Sequence, residues 1–483
     1  MRPIVLLLVA ALAGCAVQDG RPPERARNVI LFIGDGMGVA TVSAARIFDG
    51  QSRGLAGEEH VLPFERFPEL ALVKTYNTNQ QVSDSAGTAT AMLTGYKTRA
   101  GVINVGPGAR RGHCAEALAD PLTSLGEIAA RAGLGVGIVT TARLTHATPA
   151  TVYASSPERY WESDRALSPG DLAAGCRDIA TQLVEFSAGG GLDVALGGGR
   201  RSCFGSAAGG ERRAADDDLV ARWRAADPRR RYVETADELA SVAAGEPVLG
   251  LFADSHMTYV AERAADSDEP DLATMTAKAI ELLSAAGDGW FLMVEGGRID
   301  HGHHDGRPGY AMLETQAFAN AVDTALGLVD VRETLVLVTA DHSHVMTFGG
   351  YATRGNPILG LVVGNDAAGE PEPGPRIAAD GQPYTTLGYM NGAGAVQRLP
   401  RPRPDTEIDT IYQALVPTLA KQSDGSLILE ETHGGEDVAL YAIGPGSARV
   451  GGVMEQDRIF EVMVDALGLG DAAIAPADRA AGR

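Results

Sequence analysis

The chain has 483 residues, of which 45% are hydrophobic, so it can bury a sizeable core in one large or two ordinary domains. Its 62 acidic and 41 basic residues give a formal net charge of −21. Because a surface this acidic repels the phosphate backbone of DNA and RNA, the composition disfavours nucleic-acid partners. A small anionic substrate stays possible if its binding site is locally positive.

The first residues predict an export signal. Arg2 precedes the apolar run 4–13, which is too short for a stable membrane span. Small residues then lead to Cys15, as in a bacterial lipoprotein signal, whose cysteine becomes the lipidated first residue of the mature chain. An ordinary secretory signal that contains a cysteine is the alternative. Both interpretations predict export from a bacterial cell, and the first predicts a periplasmic or outer-membrane lipoprotein attached through Cys15.

Six short apolar runs predict the strands of a buried sheet. None alternates strictly between apolar and polar residues, as expected for strands covered on both faces. The runs are 28–34, 136–141, 193–199, 248–252, 290–297 and 334–340. The segments between them that have helical periodicity are 123–132, 173–186, 272–284 and 308–329. This alternation predicts an α/β fold with a large, mostly parallel central sheet and helices on both faces.

Three segments differ in composition from this pattern. Residues 365–408 are rich in Gly, Pro and Asp and poor in long apolar runs, so they predict a surface insertion or subdomain. Residues 15–26 are expected to form a tether after a signal peptide at 1–14. The Ala-rich residues 471–483 are expected to form a flexible tail.

Four islands of acidic and histidine residues indicate a metal centre. Each island follows or abuts an apolar run, so each is expected at the end of a strand. Ligands in α/β proteins collect at the carboxyl ends of strands, and carboxylates with imidazoles are ligands for divalent cations. The islands are IGDGMG at 33–38, DHGHH at 300–304, TADHSH at 339–344 and ETHGGED at 431–437.

A fifth motif, DSAG at 84–87, contains a candidate nucleophile. Small residues follow Ser85 and are suited to open a helix, whose N-terminal N–H groups favour an anionic oxygen or a phosphate. A serine is a poor nucleophile unless a base or a metal activates it. In isolation the motif favours a plain helix cap over a nucleophile.

Taken together, these motifs resemble those of the alkaline phosphatases. The matching segments are IGDGMG, DSA at 84–86, HATPA at 146–150, VEGGRIDHGHH, VTADHSH and ETHGGEDVA. RYWESD at 159–164 and YTTLGYMNGAG at 384–394 resemble the animal-type branch in particular. The resemblance implies an alkaline-phosphatase-like domain over 27–470. Within it, residues of about 351–430 are similar to the crown of that branch, which implies a homodimer.

The resemblance implies two Zn²⁺ and one Mg²⁺ per chain. Imidazole and carboxylate ligands suit zinc, and hard oxygen ligands suit magnesium. The implied ligands are Asp300, His304 and His433 for the first zinc, Asp35, Asp341, His342 and Ser85 for the second, and Asp35, Thr148 and Glu295 for magnesium.

The resemblance also implies roles around the metals. Ser85 would be the nucleophile, and Arg159 would clamp two phosphate oxygens with its planar guanidinium group. Asp84, His146 and His301 would support the metals and the phosphate through hydrogen bonds from outside the ligand set, with ordinary packing as the alternative. His303 is expected to orient a neighbour rather than to bind metal. His344 gives no comparable signal, and it is expected to have a structural role or to support the site from outside the ligand set.

The function implied is metal-dependent hydrolysis of phosphate monoesters to an alcohol and inorganic phosphate. It would proceed through a covalent phosphoserine and accept a broad range of substrates. A phosphodiesterase or sulfatase of the same superfamily, or a non-catalytic phosphate-binding lipoprotein, is the alternative. A sulfatase would have a modified cysteine in place of Ser85. Thr148 with Glu295 indicates a third metal, which diesterases usually lack.

Cysteines after the signal add one further expectation. Disulfides persist outside the cytoplasm, but spacing alone does not select a pair among Cys114, Cys176 and Cys203. Cys114 and Cys176 fall where the animal-type branch has a disulfide, so the resemblance implies that bridge. The calcium site of that branch is doubtful here, because Ala253 stands where the branch supplies a carboxylate.

Overall fold

The computed structural model of the protein describes residues 25–396, 408–421 and 426–470. The predicted export signal with Cys15, most of the predicted tether and the predicted tail at 471–483 lie outside the described residues. Among the described residues, no helix is both long enough and apolar enough to cross a bilayer.

A ten-stranded sheet forms the centre of the molecule, in the order β17-β2-β16-β8-β1-β7-β3-β4-β6-β5. Three shorter sheets, β10-β11-β12, β13-β14 and β15-β9, lie outside it. The strands are Asn28–Gly34 (β1), Glu69–Lys74 (β2), Gly135–Arg143 (β3), Val194–Gly198 (β4), Arg231–Val233 (β5), Val248–Leu251 (β6), Trp290–Gly296 (β7), Thr334–Ala340 (β8), Ser343–His344 (β9), Met346–Phe348 (β10), Leu387–Asn391 (β11), Ala414–Val416 (β12), Leu419–Lys421 (β13), Leu427–Leu429 (β14), His433–Gly434 (β15), Val438–Ile443 (β16) and Gly452–Glu455 (β17).

Two groups of helices cover the central sheet, one on each face. In one group α1, α10 and α11 each contact α12, and in the other α4, α5 and α13 each contact α2. The helices are Val39–Ser52 (α1), Ser85–Thr94 (α2), Cys114–Ala119 (α3), Leu125–Arg131 (α4), Ala147–Ala150 (α5), Pro169–Ala173 (α6), Ile179–Glu185 (α7), Leu219–Ala226 (α8), Ala236–Ala240 (α9), Leu272–Ala286 (α10), Arg298–His304 (α11), Pro308–Leu328 (α12) and Arg458–Leu467 (α13). Because both faces are covered, every residue of β7 and β8 is buried.

One strand of the central sheet is antiparallel, and this reversal positions the last acidic island. β16 runs against both of its neighbours, β8 and β2, whereas the other neighbouring pairs are parallel. The start of β16 therefore lies at the same edge as the carboxyl ends of the parallel strands. The ETHGGED segment precedes β16, so it reaches the edge at which the other islands end.

The predicted fold class is confirmed, and all six predicted strands are present. The strands that the sequence did not reveal include β2 and β17, where a large apolar side chain such as Leu70 or Val453 stays exposed. Their apolar pattern is weak because they lie near the edge of the sheet. The helix predicted at 173–186 is wrong in extent: α6 ends at Ala173, and α7 begins at Ile179 after a turn that contains Cys176.

The disulfide between Cys114 and Cys176 is present, with Cα atoms 5.9 Å apart. It joins the start of α3 to the turn between α6 and α7, and it packs with Trp161 and Leu167. Cys203 is a buried free thiol. The bridge therefore holds the segment after Arg159 against the body of the protein. The description of residues 351–430 as a crown remains a prediction.

Candidate metal centre

Acidic side chains from three neighbouring strands meet at the carboxyl edge of the sheet. Asp35 directly follows β1, Asp341 directly follows β8, and Glu295 is the second-to-last residue of β7. The register pairs Gly34 with Ala340 and Ile33 with Glu295, so these residues leave the sheet at the same level. Asp300 joins them from the first turn of α11.

The first cluster contains Asp300, His304 and His433 and also His344, with ligand atoms within 4.8 Å of one another. The Nε2 atoms of His304 and His433 face each other at 3.0 Å and lie 3.3 and 3.4 Å from Asp300 Oδ1. Their Nδ1 atoms donate to backbone carbonyls of Glu431 and Ser83, each at 2.7 Å. This fixes the tautomer that leaves both Nε2 lone pairs free for a cation.

The second cluster contains Asp35, Asp341 and His342. His342 Nε2 lies 3.4 Å from both Asp35 Oδ1 and Asp341 Oδ2. Asp341 Oδ1 accepts hydrogen bonds from the backbone N–H groups of Gly36 at 3.0 Å and His342 at 2.9 Å. The remaining oxygen of Asp341 therefore points toward His342 and Asp35.

Ser85 Oγ borders this second cluster. It lies 3.3 Å from His342 Nε2 and 3.4 Å from Asp35 Oδ1. Ser85 is the first residue of α2, and the side chain of Asp84 caps that helix by accepting from Gly87 N at 3.2 Å. The helix N-terminus thus holds the serine hydroxyl among the candidate metal ligands, where an anionic oxygen is favoured.

A third cluster contains Asp35, His146 and Glu295. Thr148 Oγ1 and Glu295 Oε1 are buried nearby, and neither has a hydrogen-bond partner among the described residues. Buried polar atoms are almost always satisfied, so two orphaned oxygens indicate a missing partner. Hard oxygen ligands of this kind suit a small divalent cation such as Mg²⁺.

Electrostatics also favour cations at this edge. Asp35, Glu295, Asp300 and Asp341 are each at most 4% exposed. Burial, together with the charges of Asp341 and Asp300, raises the pKa of Asp35 well above its usual value. Burial raises the pKa of Glu295 to about 7. Divalent ions would offset both the burial and the repulsion, so the residues fit a multi-metal site.

Arg159 lines the same cleft as Ser85 and Asp300. Its Nη1 donates to Asp84 Oδ2 at 3.0 Å, and its Nη2 donates to His146 Nε2 at 3.1 Å. Although burial disfavours the charge, the Asp84 carboxylate raises the pKa of Arg159. Burial likewise opposes the charge of Asp84, yet Arg159 lowers the pKa of that carboxyl. The guanidinium group is thus a permanently charged anchor for an anion.

The remaining predicted residues lie just outside these clusters. His301 Nδ1 accepts from Arg298 Nη1 at 3.0 Å. His303 bridges Thr41 Oγ1 at 3.0 Å and Tyr389 Oη at 2.9 Å, so it joins α1 to β11. It makes no contact that would suit a metal ligand.

His344 lies between two carboxylates, and the sequence did not specify these partners. Its Nε2 lies 2.8 Å from Asp300 Oδ1, and its Nδ1 lies 2.6 Å from Glu431 Oε2. Because both ring nitrogens face carboxylate oxygens, the imidazole holds Asp300 in place from behind. Glu431 is only 1% exposed. Its role was not predicted, because the sequence around it does not indicate that its carboxylate contacts His344.

His256 is the other residue that sequence reasoning missed. Its ring lies 4.2 Å from the ring of His301 and 5.4 Å from that of His146, and it faces the guanidinium group of Arg143. No local motif marks it, because it follows the short strand β6 at a distance from every island. All three histidines line one cleft with Ser85 and Arg159.

Comparison with known protein families shows one family over almost the whole domain. The family model described as alkaline phosphatase matches residues 26–469. The tissue-nonspecific alkaline phosphatase of Gallus gallus is 42% identical over 465 residues, which cover 92% of this chain and 85% of the relative. The alkaline phosphatase of Gadus morhua is 39% identical over 466 residues, covering 92% of this chain and 93% of the relative.

Solved structures show the same fold. The alkaline phosphatase of Thermus thermophilus superposes with a TM-score of 0.65 at 25% identity, covering 96% of each chain. The alkaline phosphatase of the Antarctic bacterium TAB5 gives a TM-score of 0.60 at 22% identity, covering 92% of this chain and 98% of the other.

We expect His344→Ala to weaken divalent-metal binding by about 10- to 100-fold, because Asp300 loses the hydrogen bond that orients it. Titrating metal-free protein with Zn²⁺ against a chelating dye measures this affinity. His113→Ala is the control, since His113 is a half-exposed surface histidine that lies in none of the candidate metal clusters. Equal zinc affinity in the two variants would contradict a supporting role for His344.

Proposed function

The chain belongs to the alkaline phosphatase family, and from that premise we propose that it hydrolyses phosphate monoesters with Ser85 as the nucleophile. The observation that carries the assignment to Ser85 is the position of its Oγ. It lies at a helix N-terminus, within 3.5 Å of Asp35 and His342 and in the same cleft as Arg159. The products are an alcohol and inorganic phosphate, and the covalent intermediate is a phosphoserine.

Arg159 binds the phosphoryl group, and Ser85 attacks it. Arg159, fixed by Asp84 and His146, binds two non-bridging oxygens of the phosphoryl group with its parallel N–H groups. This leaves the phosphorus atom open to attack by Ser85 Oγ from the side opposite the leaving-group oxygen, which is the geometry of in-line displacement. Arg159 keeps these contacts during hydrolysis of the phosphoserine, because the transferred group stays on Ser85.

We assign two Zn²⁺ and one Mg²⁺ to the centre. Asp300, His304 and His433 would hold one zinc, and Asp35, Asp341, His342 and Ser85 would hold the other. Asp35, Thr148 and Glu295 would hold magnesium, with His146 close enough to join them. When bound, such ions neutralise phosphate charge and lower the pKa of hydroxyl groups and water.

Broad specificity follows from where the described contacts lie. The groups that surround Ser85 address the phosphoryl group, which every monoester shares. A diesterase would need space for a second ester group beside Ser85, where Arg159 and His146 now lie. A purely phosphate-binding protein would not need a serine held at the centre of the ligands.

Replacing Ser85 with alanine tests the proposal. We expect turnover of p-nitrophenyl phosphate to fall by about 10⁴-fold or more, because the covalent route is lost. Bound zinc, measured by elemental analysis, should fall little, since the other ligands remain. Bis-p-nitrophenyl phosphate should be a poor substrate of the wild-type protein, and a chelator should abolish activity. Wild-type rates in the Ser85→Ala variant would refute the phosphoserine mechanism.

We also propose that the protein is a homodimer formed through the region after β11. Three large side chains there are strongly exposed: Leu415 (83%), Leu419 (63%) and Leu427 (61%). They lie on β12, β13 and β14, next to a cleft that Ala420 and Glu430 help to line. Exposed apolar clusters of this kind mark interfaces, and a second copy would cover them.

The double variant Leu415→Asp/Leu427→Asp should be monomeric, because charges would be buried in the interface. Size-exclusion chromatography with light scattering measures the mass. Leu328→Asp is the control, since Leu328 is also 55% exposed but ends α12, away from this region. A mass unaffected in the double variant, or reduced equally in the control, would contradict this interface.

We propose further that the protein is exported and anchored to a membrane through lipidated Cys15. The apolar run that precedes Cys15 and the small residues next to it support this proposal. In a bacterial host, a radiolabelled fatty acid should be incorporated into the wild-type protein and into Cys203→Ser, but not into Cys15→Ser. Label retained by Cys15→Ser would rule out that attachment site.

A further inference from the structure

The cleft that contains Ser85 extends well beyond the phosphoryl site. It has a volume of about 870 Å³. This volume lies in the upper part of the range of ligand pockets, which is roughly 300 to 1,000 Å³. Ser85, Asp84 and Arg159 line its inner part. Its wall continues over Tyr160, Glu162, Arg165, Arg201 and Glu211. A leaving group the size of a sugar phosphate therefore remains in contact with the protein while its phosphoryl group is transferred.

Arginines are concentrated on the outer part of this wall, although the chain as a whole is strongly acidic. Three of the four are neutralised by a glutamate: Arg111 by Glu158 at 2.6 Å, Arg143 by Glu162 at 2.6 Å and Arg201 by Glu211 at 3.2 Å. The fourth, Arg165, is exposed to the cleft. In the part of the chain that the structure describes, it has neither an ion pair nor a hydrogen bond.

The backbone beneath Arg165 is nevertheless well held. Asp164 and Ala166 flank it in a single 3-10 turn. Arg213 donates from its backbone N–H to Asp164 Oδ1 at 2.9 Å and from its Nη2 to Leu167 O at 2.6 Å. A guanidinium group without a partner, carried on a fixed turn and facing the substrate cleft, is suited to bind an anion.

We propose that Arg165 binds a second anionic group on the leaving alcohol. This inference rests on the proposed function, and it names a preferred substrate class within it: monoesters whose alcohol carries another phosphate or a carboxylate. The neighbouring paired arginines keep the outer wall from repelling such a group. Monoesters of uncharged alcohols still react, but without this contact.

Binding to a Ser85→Ala protein isolates the contact from turnover. Fructose 6-phosphate and fructose 1,6-bisphosphate share one sugar and differ by one phosphate, so calorimetric titration of the metal-loaded protein compares them directly. We expect Arg165→Gln to weaken binding of the bisphosphate about fivefold, the upper range for an exposed ion pair. Binding of fructose 6-phosphate should change less than twofold.

Arg224→Gln is the matched control, because Arg224 is an exposed arginine of α8 that does not line the cleft. It removes the same global charge, and it should affect neither ligand. With Ser85 present, Arg165→Gln should raise KM for the bisphosphate and leave kcat within twofold. Raising the salt concentration should reduce the difference between the two ligands in proteins that retain Arg165, and it should not do so in Arg165→Gln.

An equal effect of Arg165→Gln on both ligands, or no effect on either, would overturn the inference. An equal effect of Arg224→Gln on the bisphosphate would also overturn it, since general charge would then explain the result. Failure of the proposed function is distinguishable: the protein would not hydrolyse p-nitrophenyl phosphate, whereas the binding comparison would still report on Arg165.

Discussion

Four buried carboxylates at the carboxyl edge of one sheet determine the rest of this structure. Asp35, Glu295, Asp300 and Asp341 converge there, and the Arg159 cation faces them. Mutual repulsion and the loss of hydration make such a cluster costly unless cations share it. The fold brings them together regardless, because β8, β1 and β7 are adjacent parallel strands that end at one level. Binding of divalent ions would relieve this repulsion and desolvation, so the cluster has a high affinity for them.

Supporting hydrogen bonds turn this affinity into a defined geometry. The imidazoles of His304 and His433 are each fixed by a backbone carbonyl, and Asp341 is fixed by two backbone N–H groups. His344 and Glu431 hold Asp300 from behind. Side chains that are fixed before an ion binds lose little conformational entropy on binding. The positions of these candidate ligands are set by the backbone groups to which they are hydrogen-bonded.

The same cleft combines two kinds of charge, and under the proposed function they serve different parts of a substrate. Carboxylates and histidines surround the inner site, where ions and Arg159 would meet the phosphoryl group. Arginines surround the outer wall, where a leaving group would lie. A protein with a net charge of −21 can therefore attract an anion, because local charge at short range outweighs distant charge that solvent and salt screen. Under the proposed function, the groups that act on the phosphoryl group are therefore distinct from those that contact the leaving alcohol.

The sequence by itself determined the fold class, the six central strands and the residue types of the metal centre. These features are readable because strand burial and dense acidic or histidine motifs are local properties of the chain. The pairing of Cys114 with Cys176 was available only through resemblance. Only the tertiary structure decided that β16 runs antiparallel, that His344 lies between Asp300 and Glu431, and that His256 packs on His301. It also decided that Arg165 faces the cleft and that no residue in the described part of the chain pairs with it. Those relations join residues far apart in sequence, and their contacts are set by packing and by the direction of strands, which no local pattern encodes.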